Sequence, residues 1–236
     1  MSEETFDLAL EVHNLTVSYN RKPVLWDIDF SLPQGKLIGI VGPNGSGKTT
    51  LLKTIMGLLD PDSGYVEIKG EPMEKVRNQI SYVPQRESVD WDFPADVMDV
   101  VKMGRYQKSN ILKRLSQDDK RIAIESLEKV DLLEFSKRQI GELSGGQQQR
   151  VFIARALAQQ GDIYLMDEPF VGVDAATEDA ILQLLVEMKS KGKTVIIVHH
   201  DLQTAYEYFD WMVLLNTRLV ACGPKEEVFT KEKLQE

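Results

Sequence analysis

A glycine-rich stretch near the middle of the N-terminal half contains the residue types that bind phosphate. Its residues, in order, are Gly42, Pro43, Asn44, Gly45, Ser46, Gly47, Lys48, Thr49 and Thr50. Glycines let the backbone curl so that successive N–H groups face one anion, Lys48 adds a mobile cation, and the Thr49 hydroxyl can hold Mg²⁺. The stretch therefore predicts a site for a nucleoside triphosphate, the alternative being a tight turn before a helix.

Two adjacent carboxylates, Asp167 and Glu168, follow a short apolar run. An aspartate in that position can orient Mg²⁺, directly or through a water ligand of the metal, and the next residue is placed to act as a base on an attacking water. The alternative is that the pair caps the following helix. The phosphate motif favours catalysis, because a magnesium nucleotide site needs such a carboxylate.

A second glycine-rich helix start lies at residues 144–147. It consists of Ser144, Gly145, Gly146 and Gln147, and it contains no lysine. A helix N-terminus of this kind can bind an anion, although it can also be a simple cap. One nucleotide does not need two such helix ends from one chain. Two chains arranged head to tail would use both, each closing over the ATP of the other.

Three apolar runs, at residues 37–41, 163–166 and 194–198, predict buried parallel strands. They alternate with helical patterns, among them one at about 177–189, which indicates a parallel α/β core with ligands at the carboxyl ends of its strands. The phosphate motif, the Asp167 pair and His200 all follow such runs. We therefore expect three reactive groups at one edge of a sheet.

The remaining segments predict an antiparallel start and a helical insertion. Alternation at residues 8–19 and 24–30, with a turn between them, predicts two antiparallel strands. Apolar spacing between residues 87 and 143 predicts a mostly helical subdomain, and the C-terminal part predicts a hairpin followed by a charged helix. We thus expect one domain over residues 1–236, with residues 8–86 and 144–236 as its core and 87–143 as the helical subdomain.

Composition restricts the possible partners. The 236-residue chain has a net charge of −9 and a pI near 5.0, which argues against a large nucleic-acid interface. No apolar run approaches the length of a membrane span, no secretory signal is expected, and the single Cys222 fits a reducing compartment. A function at a membrane would then require another chain.

Taken together, these motifs resemble the ATP-binding subunits of ABC transporters, in the family's order and over residues 8–230. The resemblance implies a P-loop NTPase core with an N-terminal antiparallel β subdomain and an inserted helical subdomain. It implies that Tyr19 stacks on adenine, where the residue pattern alone left open an ordinary half-buried strand tyrosine. It makes residues 42–50 the Walker A loop and Gln85 the Q-loop glutamine, which contacts Mg²⁺ or water and senses the membrane partner.

The same resemblance assigns the later motifs. Residues 144–147 become the signature that meets the γ-phosphate of a partner copy, Asp167 the Walker B aspartate and Glu168 the catalytic glutamate. Asp174 becomes the D-loop aspartate, although Gly172 and Val173 before it depart from the common spelling. His200 becomes the switch histidine, and His199 occupies the usual Thr or Ser position. His199 is expected to be structural, and metal binding by the pair is disfavoured because adjacent strand residues point apart.

A lone cassette without a fused membrane span is similar to importer subunits. Spellings at residues 83–94, 103–106, 168–174 and 216–230 resemble the manganese, zinc and iron importer subgroup, with manganese as the first candidate and zinc or iron next. The resemblance implies ATP and Mg²⁺ as cofactors, a homodimer, membrane permease subunits, an indirect extracytoplasmic metal-binding protein and no nucleic acid. It places the chain at the cytoplasmic face of the membrane.

Three other functions compete with this interpretation. They are an importer ATPase for another small solute, a non-transport ABC ATPase or regulatory scaffold, and a P-loop kinase or GTPase. Co-purification with a polytopic membrane protein would separate transport from the others. Trp91 and Phe93, which follow Gln85 among acidic residues, either line a groove for a helix of the membrane subunit or pack inside the helical region.

Overall fold

The computed structural model describes residues 7–106 and 115–230. The chain divides into two compact units. The first contains the described residues up to Arg77 and from Met188 onward, and the second spans Asn78–Glu187. Within the described ranges, no helix is both long enough and apolar enough to cross a membrane.

An antiparallel sheet forms one part of the first unit. Its strands are β1 (Leu8–Tyr19), β2 (Lys22–Pro33), β4 (Ser63–Ile68) and β5 (Glu71–Pro72), in the order β2-β1-β4-β5. Asn20 and Arg21 join β1 to β2 with φ angles of 51° and 63°. This left-handed pair is typical of a two-residue hairpin turn, whose twist matches that of the strands. The antiparallel start and the turn were predicted from the alternation, and both are confirmed.

A second group of strands in the first unit is mainly parallel. It consists of β3 (Leu37–Val41), β8 (Thr194–His199), β9 (Trp211–Asn216) and β10 (Arg218–Pro224), in the order β10-β9-β3-β8. β3 pairs in parallel with β8 and β9, and every residue of β3 is buried. Continuous burial of β3 and β8 explains why these two strands are apolar runs without alternation. The helices of this unit are α1 (Lys48–Ile55), α2 (Met73–Val76), α7 (Leu202–Tyr208) and α8 (Lys225–Val228).

The described residues of the second unit contain a parallel strand pair and four α-helices, the last of which ends three residues beyond Glu187. β6 (Ile80–Val83) pairs in parallel with β7 (Ile163–Asp167). The helices are α3 (Val97–Met103), α4 (Gln117–Lys129), α5 (Gly145–Gln159) and α6 (Ala175–Ser190). α3 and α4 occupy the segment for which apolar spacing predicted helix, while residues 107–114 of that segment lie outside the described residues.

One buried arginine holds three of these helices together. Arg105, just after α3, donates from Nε to Asp119 Oδ1 of α4 at 2.9 Å. Its Nη1 donates to the Ala158 carbonyl at 2.7 Å and to Gln160 Oε1 at 3.0 Å, at the end of α5. Beside it, a Cβ on Gly104 would lie 2.3 Å from the Arg155 carbonyl, so only glycine lets α3 approach α5 this closely.

Candidate functional site

The phosphate motif forms the loop between β3 and α1, and two of its glycines are required by space. A Cβ on Gly42 would lie 2.0 Å from the Leu215 carbonyl oxygen. Gly47, the N-cap of α1, has a φ of 100°, and its Cβ would lie 2.5 Å from Leu25 Cδ2. Other residues would strain or displace this backbone, so the loop conformation depends on glycine at both positions.

Lys48 and Ser46 place polar groups inside this loop. The Lys48 side chain is buried, and its Nζ donates to the Gly42 and Pro43 carbonyls at 2.8 and 2.9 Å. The Ser46 hydroxyl is also buried and has no hydrogen-bond partner among the described residues. A buried hydroxyl without a protein partner, next to a cation and a helix N-terminus, fits an anionic ligand.

The Tyr19 ring lies at the end of β1, immediately before the hairpin turn. The residue is 46% exposed, which leaves its ring accessible to a ligand. At this exposure the residue is about half buried, so an ordinary strand tyrosine and a base-stacking ring both remain open. Because aromatic rings stack on one another, the exposed part of the Tyr19 ring can stack on a nucleobase.

The two histidines at the end of β8 have different environments. His199 lies opposite Val41 in the parallel register, is buried, and has its Nε2 2.7 Å from Thr204 Oγ1. Burial first, and then the nearby His200 and Lys48, lower the pKa of His199 to about 4, so its ring is neutral near pH 7.

His200 follows the end of the strand and is exposed. β8 ends at His199, and the ring centroids of His199 and His200 are 5.6 Å apart. In the described ranges, no group of three or more His, Cys, Asp or Glu side chains could hold a metal ion.

In the second unit, the ends of β6 and β7 bring Gln85 and Glu168 together. Val83 pairs with Met166, and two residues beyond each of them the Gln85 Nε2 donates to Glu168 Oε2 at 3.3 Å. Glu168 has a φ of 50°, a left-handed conformation that costs a non-glycine residue free energy. Such strain is concentrated at functional sites, where the surrounding structure enforces it.

Asp167 ends β7 and is almost completely buried. Burial and, secondarily, the charge of Asp167 raise the pKa of the neighbouring Tyr82 to about 12. The neighbouring tyrosine therefore remains neutral beside the carboxylate. A buried acidic group at a strand end, next to a half-buried glutamate, has the composition of a metal and water site.

The second glycine-rich stretch starts α5 with a reciprocal cap. The Ser144 N–H donates to Gln147 Oε1 at 3.0 Å, and the Gln147 N–H donates to Ser144 Oγ at 3.3 Å. This capping box gives the backbone N–H groups of Ser144 and Gln147 each a hydrogen-bond acceptor. Gly146 lies against Thr177, since its Cβ would be 3.3 Å from Thr177 Oγ1.

Asp174 caps α6, a function that the sequence alternatives assigned to the Asp167 pair. Its Oδ1 accepts the Thr177 N–H at 2.9 Å and its Oδ2 accepts the Thr177 hydroxyl at 3.0 Å. These hydrogen bonds, the backbone one first, lower the pKa of Asp174. Its predicted function in a D-loop stays a prediction.

The two aromatic residues after Gln85 separate the alternatives that the sequence left open. Trp91 packs edge-on against Phe152 of α5, with ring centroids 5.2 Å apart, and its Nε1 donates to the Arg86 carbonyl at 2.9 Å. Phe93 is 54% exposed. Trp91 thus takes part in the internal packing while remaining partly exposed, and Phe93 is available to a partner.

Sequence reasoning missed Arg86, Arg105 and Gln148. Arg105 stands in one of the spellings that resemble the importer subgroup, and Gln148 follows the signature directly. Arg86 also lies in one of those segments. None of the three positions indicates its contacts, because most of their partners lie more than fifty residues away in the chain.

Comparisons with known proteins agree with the geometry. Residues 25–171 match the family described as ABC transporter. A manganese transport system ATP-binding protein of Bacillus subtilis is 59% identical over 226 residues, covering 96% of this chain and 90% of that protein. A zinc transport system ATP-binding protein of Treponema pallidum is 55% identical, with coverages of 96% and 85%. An ATP-binding cassette of an ABC transporter in its ADP conformation superimposes with a TM-score of 0.83 at 27% identity, covering 97% of each chain.

Proposed function

Because the chain belongs to the ABC transporter family, we propose that it powers a divalent-metal importer, with manganese as the first candidate and zinc or iron next. It is an ATP-binding subunit of a transport system and an ATPase. Manganese and zinc follow from the names of its relatives, among which manganese is the most frequent, and iron follows from the resemblance of the sequence to the importer subgroup.

One observation carries the proposed mechanism. The chain contains two glycine-rich helix starts of different composition, α1 with Lys48 inside its loop and α5 with a self-capped Ser144. A single nucleotide site within one chain does not need both. We infer that two copies associate head to tail, so that the α1 start of one copy and the α5 start of the other bind the same ATP.

Different residues of the chain would bind the adenine ring, the phosphates and Mg²⁺. Tyr19 would stack on the adenine ring, and the N–H groups of residues 42–50, with Lys48 and Ser46, would bind the phosphates. Thr49, Gln85 and Asp167 would hold Mg²⁺, because their hydroxyl, amide and carboxylate oxygens are the donors that this hard cation prefers. The metal would neutralise charge on the β- and γ-phosphates.

Hydrolysis would depend on Glu168 acting as a base on the attacking water. Its left-handed backbone and the Gln85 amide at 3.3 Å fix the direction of the carboxylate. His200 would contact the γ-phosphate from the end of β8. Asp174 would orient the residues that follow Glu168. Binding energy from the γ-phosphate would favour the closed dimer, and hydrolysis would remove that preference.

The remaining partners lie outside the chain. Family members work with membrane permease subunits, and we propose that the exposed Phe93 contacts such a subunit at the cytoplasmic face of the membrane. An extracytoplasmic metal-binding protein would deliver the ion to the permease and would not touch this chain. The net charge of −9 does not favour nucleic acid as a partner.

Reconstitution tests this function. The chain, co-expressed with its permease and inserted in lipid vesicles, should accumulate radioactive manganese only with ATP and Mg²⁺, and Glu168→Gln should abolish uptake. Zinc and ferrous iron are measured in the same vesicles to rank the ions. ATPase activity without any co-purifying membrane protein would instead support a non-transport ABC ATPase, and uptake of none of the three metals would support another solute.

A further inference from the structure

Two adjacent residues at the end of β6 contact two different functional groups of the second unit. The Gln85 amide donates to the carboxylate of Glu168 at 3.3 Å. The neighbouring Arg86 donates from Nε and Nη2 to one oxygen, Gln148 Oε1, at 3.2 and 3.0 Å. The loop that holds the proposed base therefore also contacts the start of α5.

The contact of Arg86 is made at the first turn of α5. Gln148 is buried, and its Nε2 donates to the Ile140 carbonyl at 3.2 Å, which fixes the amide orientation. A Cβ on Gly145 would lie 3.0 Å from Arg86 Cζ, so the guanidinium lies directly against the helix start. Arg86 thus touches α5 both through a side chain and across the face of a glycine.

The same arginine is connected to the segment that follows it. The Trp91 indole donates to the Arg86 carbonyl at 2.9 Å, and the guanidinium lies 5.8 Å from the Trp91 ring centroid. The Trp91 ring packs on Phe152, one turn further along α5. A displacement of the segment that carries the exposed Phe93 would consequently be transmitted to α5 through Arg86 and Trp91.

We propose that Arg86 is a positioning residue that sets the place of the Ser144–Gly146 helix start and thereby controls ATP-driven closure of the dimer. The proposal rests on the proposed function, in which that helix start meets the γ-phosphate of the partner copy. Two donors from a planar guanidinium on one acceptor define a direction, which a lysine ammonium does not. A misplacement of about 1 Å at a phosphate contact is enough to weaken it strongly.

The test uses the full chain carrying Glu168→Gln, in which slow hydrolysis should let the ATP-bound dimer accumulate. Dimerisation with Mg-ATP is measured by sedimentation for this parent and after adding Arg86→Ala, Arg86→Lys or Gln148→Ala. We expect Arg86→Ala to weaken the dimer roughly ten-fold, from the loss of a charged hydrogen bond. ATP affinity of the monomer should change less than about two-fold, because this charged contact lies outside the phosphate loop.

Further variants separate positioning from general damage. The double variant Arg86→Ala, Gln148→Ala should dimerise no less than the single variant with the larger loss of dimerisation, since both substitutions remove the same contact. Arg121→Ala, which removes an exposed arginine of α4 that pairs with Asp118 and Glu125, is the matched control and should dimerise like the parent. Should Arg86→Ala not fold, Gln148→Ala and Arg86→Lys carry the same comparison.

The outcomes are distinguishable. A parent that does not dimerise with ATP would overturn the proposed function and this inference together. A parent that dimerises alongside an equally effective Arg86→Ala would overturn the inference alone. If Arg86→Lys dimerises like the parent, a positive charge is sufficient and the positioning role is contradicted. If Arg86→Ala loses ATP affinity as a monomer by the same factor as it loses dimerisation, the substitution disrupts the fold generally, which also contradicts the positioning role.

Discussion

The N-cap of helix α1 is Gly47, which has no side chain with which to cap it. The N-cap of helix α5 is Ser144, whose hydroxyl caps the helix through a reciprocal pair with Gln147. Both helix starts present N–H groups and a positive dipole end. The α1 start adds a buried lysine and a buried serine hydroxyl without a partner in the described chain. The α5 start carries no cation among its own residues, although the Arg86 guanidinium lies against Gly145, and its Ser144 and Gln147 side chains hydrogen-bond to its own backbone N–H groups.

This difference indicates that the two starts have different tasks. A loop shaped by glycine and lined with a cation is prepared to bind phosphate by itself. A self-capped helix is stable without a ligand and offers one hydroxyl and a glycine surface, which suits a contact made late, when a partner approaches.

Removing hydrolysis isolates the binding properties of both helix starts. Glu168→Gln keeps the size of the side chain but removes the base, so phosphate release should fall roughly 10²–10⁴-fold. Equilibrium binding of a fluorescent ATP analogue should be unchanged. A variant that hydrolyses ATP at the parental rate would show that Glu168 is not the base.

The far end of α5 depends on Arg105. Arg105→Ala removes the cation from Asp119, which keeps its hydrogen bonds from Ser116, and leaves the Ala158 carbonyl without its donor. We expect a loss of about 1–3 kcal/mol in the free energy of unfolding. Urea denaturation followed by circular dichroism measures this loss. Lys75→Ala, which breaks the exposed pair with Glu71, is the control, and an equally small effect of both substitutions would mean that Arg105 does not hold these helices.

Paired substitutions test the division of tasks directly. Lys48→Ala should weaken ATP binding by the monomer about 10- to 100-fold, because a charged hydrogen-bond donor is lost. Ser144→Ala should leave monomer affinity unchanged and weaken only ATP-driven dimerisation, both measured in the Glu168→Gln chain. Ser116→Ala removes the equivalent capping box from α4 and controls for lost helix stability. If Ser144→Ala weakened monomer affinity as much as Lys48→Ala, the two starts would not differ in task.

The first unit should carry an acid-sensitive group in His199. Its folded pKa of about 4 lies below its ordinary 6.5, so the unfolded chain takes up the proton first as the pH falls. Stability should therefore decrease between about pH 6.5 and pH 4, by about 2 kcal/mol from pH 7.5 to pH 5. The denaturation midpoint should depend less on pH across this range in His199→Gln, and should keep its pH dependence in His200→Gln, which changes an exposed residue. An unchanged pH profile in His199→Gln would contradict this assignment.

Local patterns were sufficient for most elements of the fold. Alternation predicted β1 and β2, continuous apolar runs predicted β3 and β8, and Asn20-Arg21 fell within the predicted turn. These signals are local because burial on one face or on both imposes a period along the chain. The burial and packing of individual side chains were less predictable. Trp91 and Phe93 are two residues apart, yet the first packs on Phe152 and the second is exposed.

By itself the sequence determined the phosphate loop, the order of strands and helices and the acidic pair at residues 167–168, since each depends on neighbours along the chain. Only the tertiary structure decided that Asp174 caps α6, that Arg86 contacts Gln148 of α5, and that Arg105 connects α3, α4 and α5. The physical reason is that a guanidinium selects its acceptors by distance and direction in space. No spacing in the sequence records where a carbonyl more than fifty residues away comes to lie.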